Sequence, residues 1–100
     1  MEFDNYLTLY DEFNAAHFPQ ATVEQIEDKV LEEMRELAHE IVTEGTQADK
    51  IAESLDVFNL SVKLLTAYGV VNILDAAAQK LALTAVKYRQ KAIDTAPDNR

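Results

Sequence analysis

Four residues punctuate this chain: Pro19, Gly45, Gly69 and Pro97, its only prolines and glycines. Proline lacks the backbone donor a helix interior needs, and glycine commonly closes a helix end. Between these points apolar residues return every three or four positions, the period of a helix. No segment alternates in steps of two, as a half-buried strand would. The pattern therefore predicts an all-α chain of four helices.

The first helix is expected over residues 3 to 17, where Phe3, Tyr6, Tyr10, Phe13 and His17 form a stripe widened by Leu7. Phe18-Pro19-Gln20-Ala21 reads as a link. Thr22-Val23-Glu24-Gln25 is a capping box, with Thr22 at the N-cap and Gln25 at the third helical position. The second helix should run from Val23 to Glu44 along a seam of Val23, Ile26, Val30, Met34, Leu37 and Ile41, with Gly45 placed to end it. Thr46 can cap the third, which continues to Tyr68 before Gly69. Ile51, Leu55, Phe58, Val62 and Leu65 occupy one face of it, and Val57, Leu60 and Leu64 another. A helix apolar on two sides is usually central or at a subunit interface. Asn72 caps a fourth helix from Ile73 to Ile93. Short links between long helices favour an antiparallel four-helix bundle. One helical domain over residues 1–94 is expected, followed by a flexible polar tail at 95–100.

Composition narrows the function classes. The net charge is −9, from 9 basic and 18 acidic residues. Such a surface repels nucleic-acid polymers, whose affinity comes from basic contacts to phosphates. No run approaches the ~20 apolar residues that cross a bilayer. The chain has no cysteine and hence no disulfide or thiolate metal site. The acidic start, Met1-Glu2-Phe3-Asp4, lacks a signal pattern, and a cytoplasmic protein is expected.

The acids are not spread evenly. Glu32-Glu33-Met34-Arg35-Glu36 lies on the second helix and Glu53-Ser54-Leu55-Asp56 on the third. Residues three apart share a helix face, so Glu33 pairs with Glu36, and Glu53 with Asp56. At ~100° per residue, Glu33 falls beside the apolar seam, and Glu53 projects between Leu60 and Leu64. A carboxylate so placed needs a partner. If the helices fold back on each other the two pairs converge. Two such charges ~5 Å apart at an effective dielectric of ~20 repel by roughly 3 kcal/mol. A hard cation would relieve that, and an all-oxygen set suits Mg²⁺ or Mn²⁺. Ordinary solvated acids on two helix faces remain the other reading.

Other constellations are weaker. Lys80, Thr84, Lys87 and Lys91 share one face of the fourth helix, as a wet basic stripe or as ammonium groups for phosphate oxygens. The aromatics of the first helix read as core; otherwise Phe13, His17 and Phe18 line a slot in which a flat base stacks. His39 reads as a surface residue. There is no glycine-rich phosphate loop, HExxH or zinc cluster, which leaves hydrolysis by metal-activated water as the chemistry the residues favour.

The pattern EExxE, a gap, then ExxD resembles the signature of the MazG-like nucleotide pyrophosphohydrolases. Phe18-Pro19-Gln20-Ala21-Thr22 before the motif helix and Tyr68-Gly69-Val70 after the third are similar to that family as well. On the fourth helix, members of the dCTP pyrophosphatase kind carry a lysine, an asparagine four later and an aromatic eight later. Lys80 and Tyr88 match the outer positions, and Thr84 replaces the asparagine. The likeness covers roughly Phe13 to Lys91.

The resemblance implies an all-α enzyme that cleaves a nucleoside triphosphate to the monophosphate and pyrophosphate, as nucleotide-pool house-cleaning. It implies Mg²⁺ held by Glu33, Glu36, Glu53 and Asp56, with Glu32 adding a ligand or outer contact. Lys80, and Lys87 beside it, would steady the phosphate chain. The candidate substrate contacts are then Phe13, His17, Phe18, Lys29, Asn59, Lys80, Thr84, Lys87 and Tyr88. Members associate as homodimers or homotetramers, which fits the two apolar sides of the third helix. Two further expectations stay open: a non-catalytic acidic binding module, and a phosphoribosyl-ATP pyrophosphohydrolase.

Overall fold

The computed structural model of the protein describes residues 1–95. Four helices occupy them: α1 (Phe3–His17), α2 (Val23–Val42), α3 (Gln47–Ala67) and α4 (Ile73–Thr95). No strand occurs among the described residues, so the fold is all-α. None of these helices is long and apolar enough to cross a membrane. The expected flexible tail lies outside the described residues apart from Thr95, which ends α4 with its hydroxyl donating to the Lys91 carbonyl at 2.8 Å.

Helix starts follow local chemistry. The Thr22 hydroxyl accepts the Gln25 N–H at 3.2 Å, and the Gln25 side-chain oxygen accepts the Thr22 N–H at 2.9 Å. Two otherwise orphaned donors at the start of α2 are thereby satisfied. Thr46 accepts from the Asp49 N–H at 3.1 Å, and Asn72 from the Asp75 N–H at 3.0 Å. All three expected caps are in place.

The end of α2 differs from expectation. The helix stops at Val42, and the left-handed residue is Glu44 (φ 55°), not Gly45. The Glu44 N–H donates to the Ile41 carbonyl at 3.3 Å and the Gly45 N–H to the Glu40 carbonyl at 2.8 Å. This paired closure satisfies the last carbonyls one residue earlier than a glycine-centred reading implies. A Cβ at Gly45 would meet chiefly the flexible carboxylate end of Glu40, which can swing aside, so the turn does not depend on glycine there. At the end of α3 the expectation holds. Gly69 adopts φ 90°, with its N–H on the Thr66 carbonyl and the Val70 N–H on the Leu65 carbonyl, both at 3.0 Å.

The chain divides into two compact units, Met1–Leu64 and Leu65–Arg100. In the first, Ile26 and Val30 of α2 and Val62 of α3 are buried. Tyr6 ties α1 to α3: its hydroxyl donates to Asn59 Oδ1 at 2.6 Å, and its ring centroid lies 5.9 Å from that of Phe58. Only part of the α2 seam is covered. Met34 and Ile41, expected as core, are 50% and 56% exposed, and Ile51, Leu55 and Phe58 of α3 are similarly open. In the second unit Ile73 is buried at the start of α4, whereas Leu81, Leu83, Val86 and Tyr88 are exposed.

Candidate functional site

Glu33 is a carboxylate in a core position. It lies seven residues after Ile26 and three after Val30, so the helix carries it onto the buried face, and it is only 8% exposed. Its Oε1 is 3.5 Å from the Lys29 ammonium, one turn earlier. Its Oε2 is buried without a hydrogen-bond partner, as is Oε2 of Glu53 on α3. Native structures rarely leave a buried carboxylate oxygen unsatisfied, because the lost hydration is not replaced.

These two oxygens belong to one cluster. Glu33, Glu53 and Asp56 each bring a carboxylate oxygen within 4.8 Å of the others. Glu36, one turn further along α2, is exposed and is not among these three, but its charge reaches Glu53. Burial, followed by the charges of Glu36, Glu33 and Asp56, holds the Glu53 carboxyl above its ordinary range. Of the four acids expected to converge, Glu33, Glu53 and Asp56 are brought together, and Glu36 stays at the exposed edge. Glu32 is on the wetter side of α2, where it meets Lys29 at 3.3 Å. That contact, helped by the Glu33 charge and opposed by burial, raises the pKa of Lys29.

Beside the cluster an open cleft of about 700 Å³ lies wholly within the first unit. Its volume falls in the range of small-molecule sites. Glu33 and Asp56 sit on its wall together with Phe13, Phe18, Lys29 and Asn59, four of the residues expected to contact a substrate. Tyr10 also lines it, its hydroxyl pushed up to about 12 by burial, then by Tyr6 and Asp56.

The aromatic wall is not a slot between rings. Phe13 and Phe18 have centroids 6.0 Å apart and planes tilted by 55°, whereas a flat ring inserted between two others needs about 7 Å and parallel faces. His17 packs on Phe13 at 4.7 Å and does not line the cleft. Lys80, Thr84, Lys87 and Tyr88 belong to α4 in the second unit. There the Thr84 hydroxyl donates to the Lys80 carbonyl at 2.9 Å, a bond within α4.

Sequence reasoning missed Lys63. Its ammonium lies over the Phe18 ring at 4.9 Å from the centroid, on the cleft wall, and burial lowers its pKa. The signal was present: Asp56, Asn59 and Lys63 follow one another at steps of three and four, a polar line along an otherwise apolar helix. Asn14 and Gln25 also line the cleft and carried no comparable signal.

Comparison with protein-family models, with curated proteins and with solved structures finds no match in any of the three. The geometry of the cluster and cleft carries the functional argument.

Proposed function

We propose that this protein is a Mg²⁺-dependent nucleoside triphosphate pyrophosphohydrolase of the MazG-like kind, cleaving a (d)NTP to the monophosphate and pyrophosphate in the nucleotide pool of the cytoplasm. The observation that carries the reading is the pair of buried, unpartnered carboxylate oxygens on Glu33 and Glu53 in a cluster with Asp56. A purely solvated acidic face would leave those oxygens in water. The donor set is all oxygen and strongly anionic, which fits a hard divalent cation. Glu33, Glu36, Glu53 and Asp56 would hold it. Bound Mg²⁺ supplies charge to phosphoryl oxygens and acidifies water at neutral pH.

The chain's own residues have separable tasks. Lys29, fixed between Glu32 and Glu33, keeps Glu33 oriented and offers positive charge at the edge of the cleft. Phe13, Phe18 and Tyr10 give the cleft an apolar wall on which a base can lie. A glutamate of the cluster accepts the proton of the attacking water. The half-exposed Met34, Ile41, Ile51, Leu55 and Phe58 support completion of the bundle by a second copy of the chain.

The test is incubation with a panel of nucleotides and Mg²⁺, with products separated by ion exchange. Monophosphate and pyrophosphate are expected in equal amounts. Orthophosphate as the product would place cleavage at another bond, and binding without turnover would make the protein a nucleotide-binding module.

A further inference from the structure

Two side chains of α3 in the cleft present hydrogen-bond donors and have no use for them among the described residues. Asn59 Oδ1 is taken by the Tyr6 hydroxyl at 2.6 Å, which fixes the amide and leaves its NH₂ as the free end. Lys63 carries three ammonium donors and no acceptor. The described ion pairs both belong to Lys29, and the contact of Lys63 is with the face of Phe18. Both residues line the cleft, and at a spacing of four they lie on one helix face. Lys63 is held there by packing, since a cation resting on an aromatic ring keeps a defined place.

We infer that Asn59 and Lys63 read the edge of the bound base, selecting a nucleobase whose edge offers two adjacent acceptors. Guanine has such an edge in O6 and N7, and cytosine in N3 and O2. Adenine at N7 and N6, and uracil or thymine at O4 and N3, place a donor next to an acceptor. Two donors facing a donor leave buried polar groups unpaired, which is the strongest source of discrimination a small site has. The inference rests on a nucleotide occupying this cleft, as proposed above, but not on its hydrolysis.

The experiment is calorimetric binding of the four deoxynucleoside monophosphates to the full chain with Mg²⁺ present, alongside turnover of the four triphosphates. The guanine or cytosine nucleotide is expected to bind about tenfold tighter than the adenine and thymine nucleotides. Lys63→Met, which keeps a side chain of similar length on Phe18, should erase that ratio. Asn59→Asp retains the acceptor for Tyr6 but loses the NH₂, and should move the preference toward bases with a donor in the edge. Circular dichroism confirms that each variant is folded. Equal affinity for all four bases in the wild-type chain overturns the inference, as does a Lys63→Met variant with the ratio intact. Binding with the expected ratio but without pyrophosphate release would uphold base reading while refuting the hydrolase.

Discussion

Tyr6 and Asn59, 53 residues apart in sequence, are joined by a 2.6 Å hydrogen bond from the phenol to Asn59 Oδ1. The bond locks α1 to α3 next to the acidic cluster and sets the orientation of an amide on the cleft wall. Tyr6→Phe leaves Asn59 Oδ1 unpaired in a half-buried place, and a net loss of about 1 kcal/mol is expected. Urea unfolding followed by circular dichroism measures it. An unchanged midpoint would mean that water replaces the phenol without cost.

The cluster of Glu33, Glu36, Glu53 and Asp56 is repulsive when bare. Folded Glu53 binds its proton more tightly than a free glutamate with its ordinary value of 4.5. The folded state then carries more protons than the unfolded one as pH rises above 4.5, so the metal-free protein loses stability through the folded pKa of Glu53. Mg²⁺ should reverse this by up to about 2.7 kcal/mol at a hundredfold excess over its Kd. Glu53→Gln should raise the Tm of the EDTA-treated protein at neutral pH, remove the Mg²⁺-induced shift and abolish turnover. A Glu53→Gln variant still stabilised by Mg²⁺ to the wild-type extent would dismiss the site.

Tyr10 reports on the same cluster. Burial, Tyr6 and the anion of Asp56 push its hydroxyl to about 12. Ultraviolet titration should show a phenol step near 12, and Tyr10→Phe should delete that step. The folded protein keeps this proton while the unfolded chain has lost it, so stability falls between pH 10 and about 12. Mg²⁺ neutralising Asp56 should shift the late step downward; no shift would separate Asp56 from any bound metal.

Glu44 holds a left-handed conformation at φ 55° that side chains disfavour. Glu44→Gly removes the Cβ conflict while both closing hydrogen bonds can remain, and a gain of about 0.5–1 kcal/mol is expected after the added chain entropy. A thermal melt of the variant against wild type checks it, and a lower Tm would show that the Glu44 side chain makes a contribution larger than its strain.

The sequence alone determined where the helices begin and what lies on each face. Caps and periodicity are local: Thr22, Thr46 and Asn72 act within one turn, and the step of seven from Ile26 to Glu33 puts an acid on the buried face whatever packs there. The α2 terminus was less legible, because glycine is the residue suited to a left-handed place and yet the backbone gives that place to Glu44. Tertiary structure decided the rest. That the oxygens of Glu33, Glu53 and Asp56 come within 4.8 Å depends on how α2 and α3 meet, and Lys63 becomes a cleft residue because Phe18 reaches it from the α1–α2 link. Periodicity fixes angles around one helix axis; it carries no distance between two.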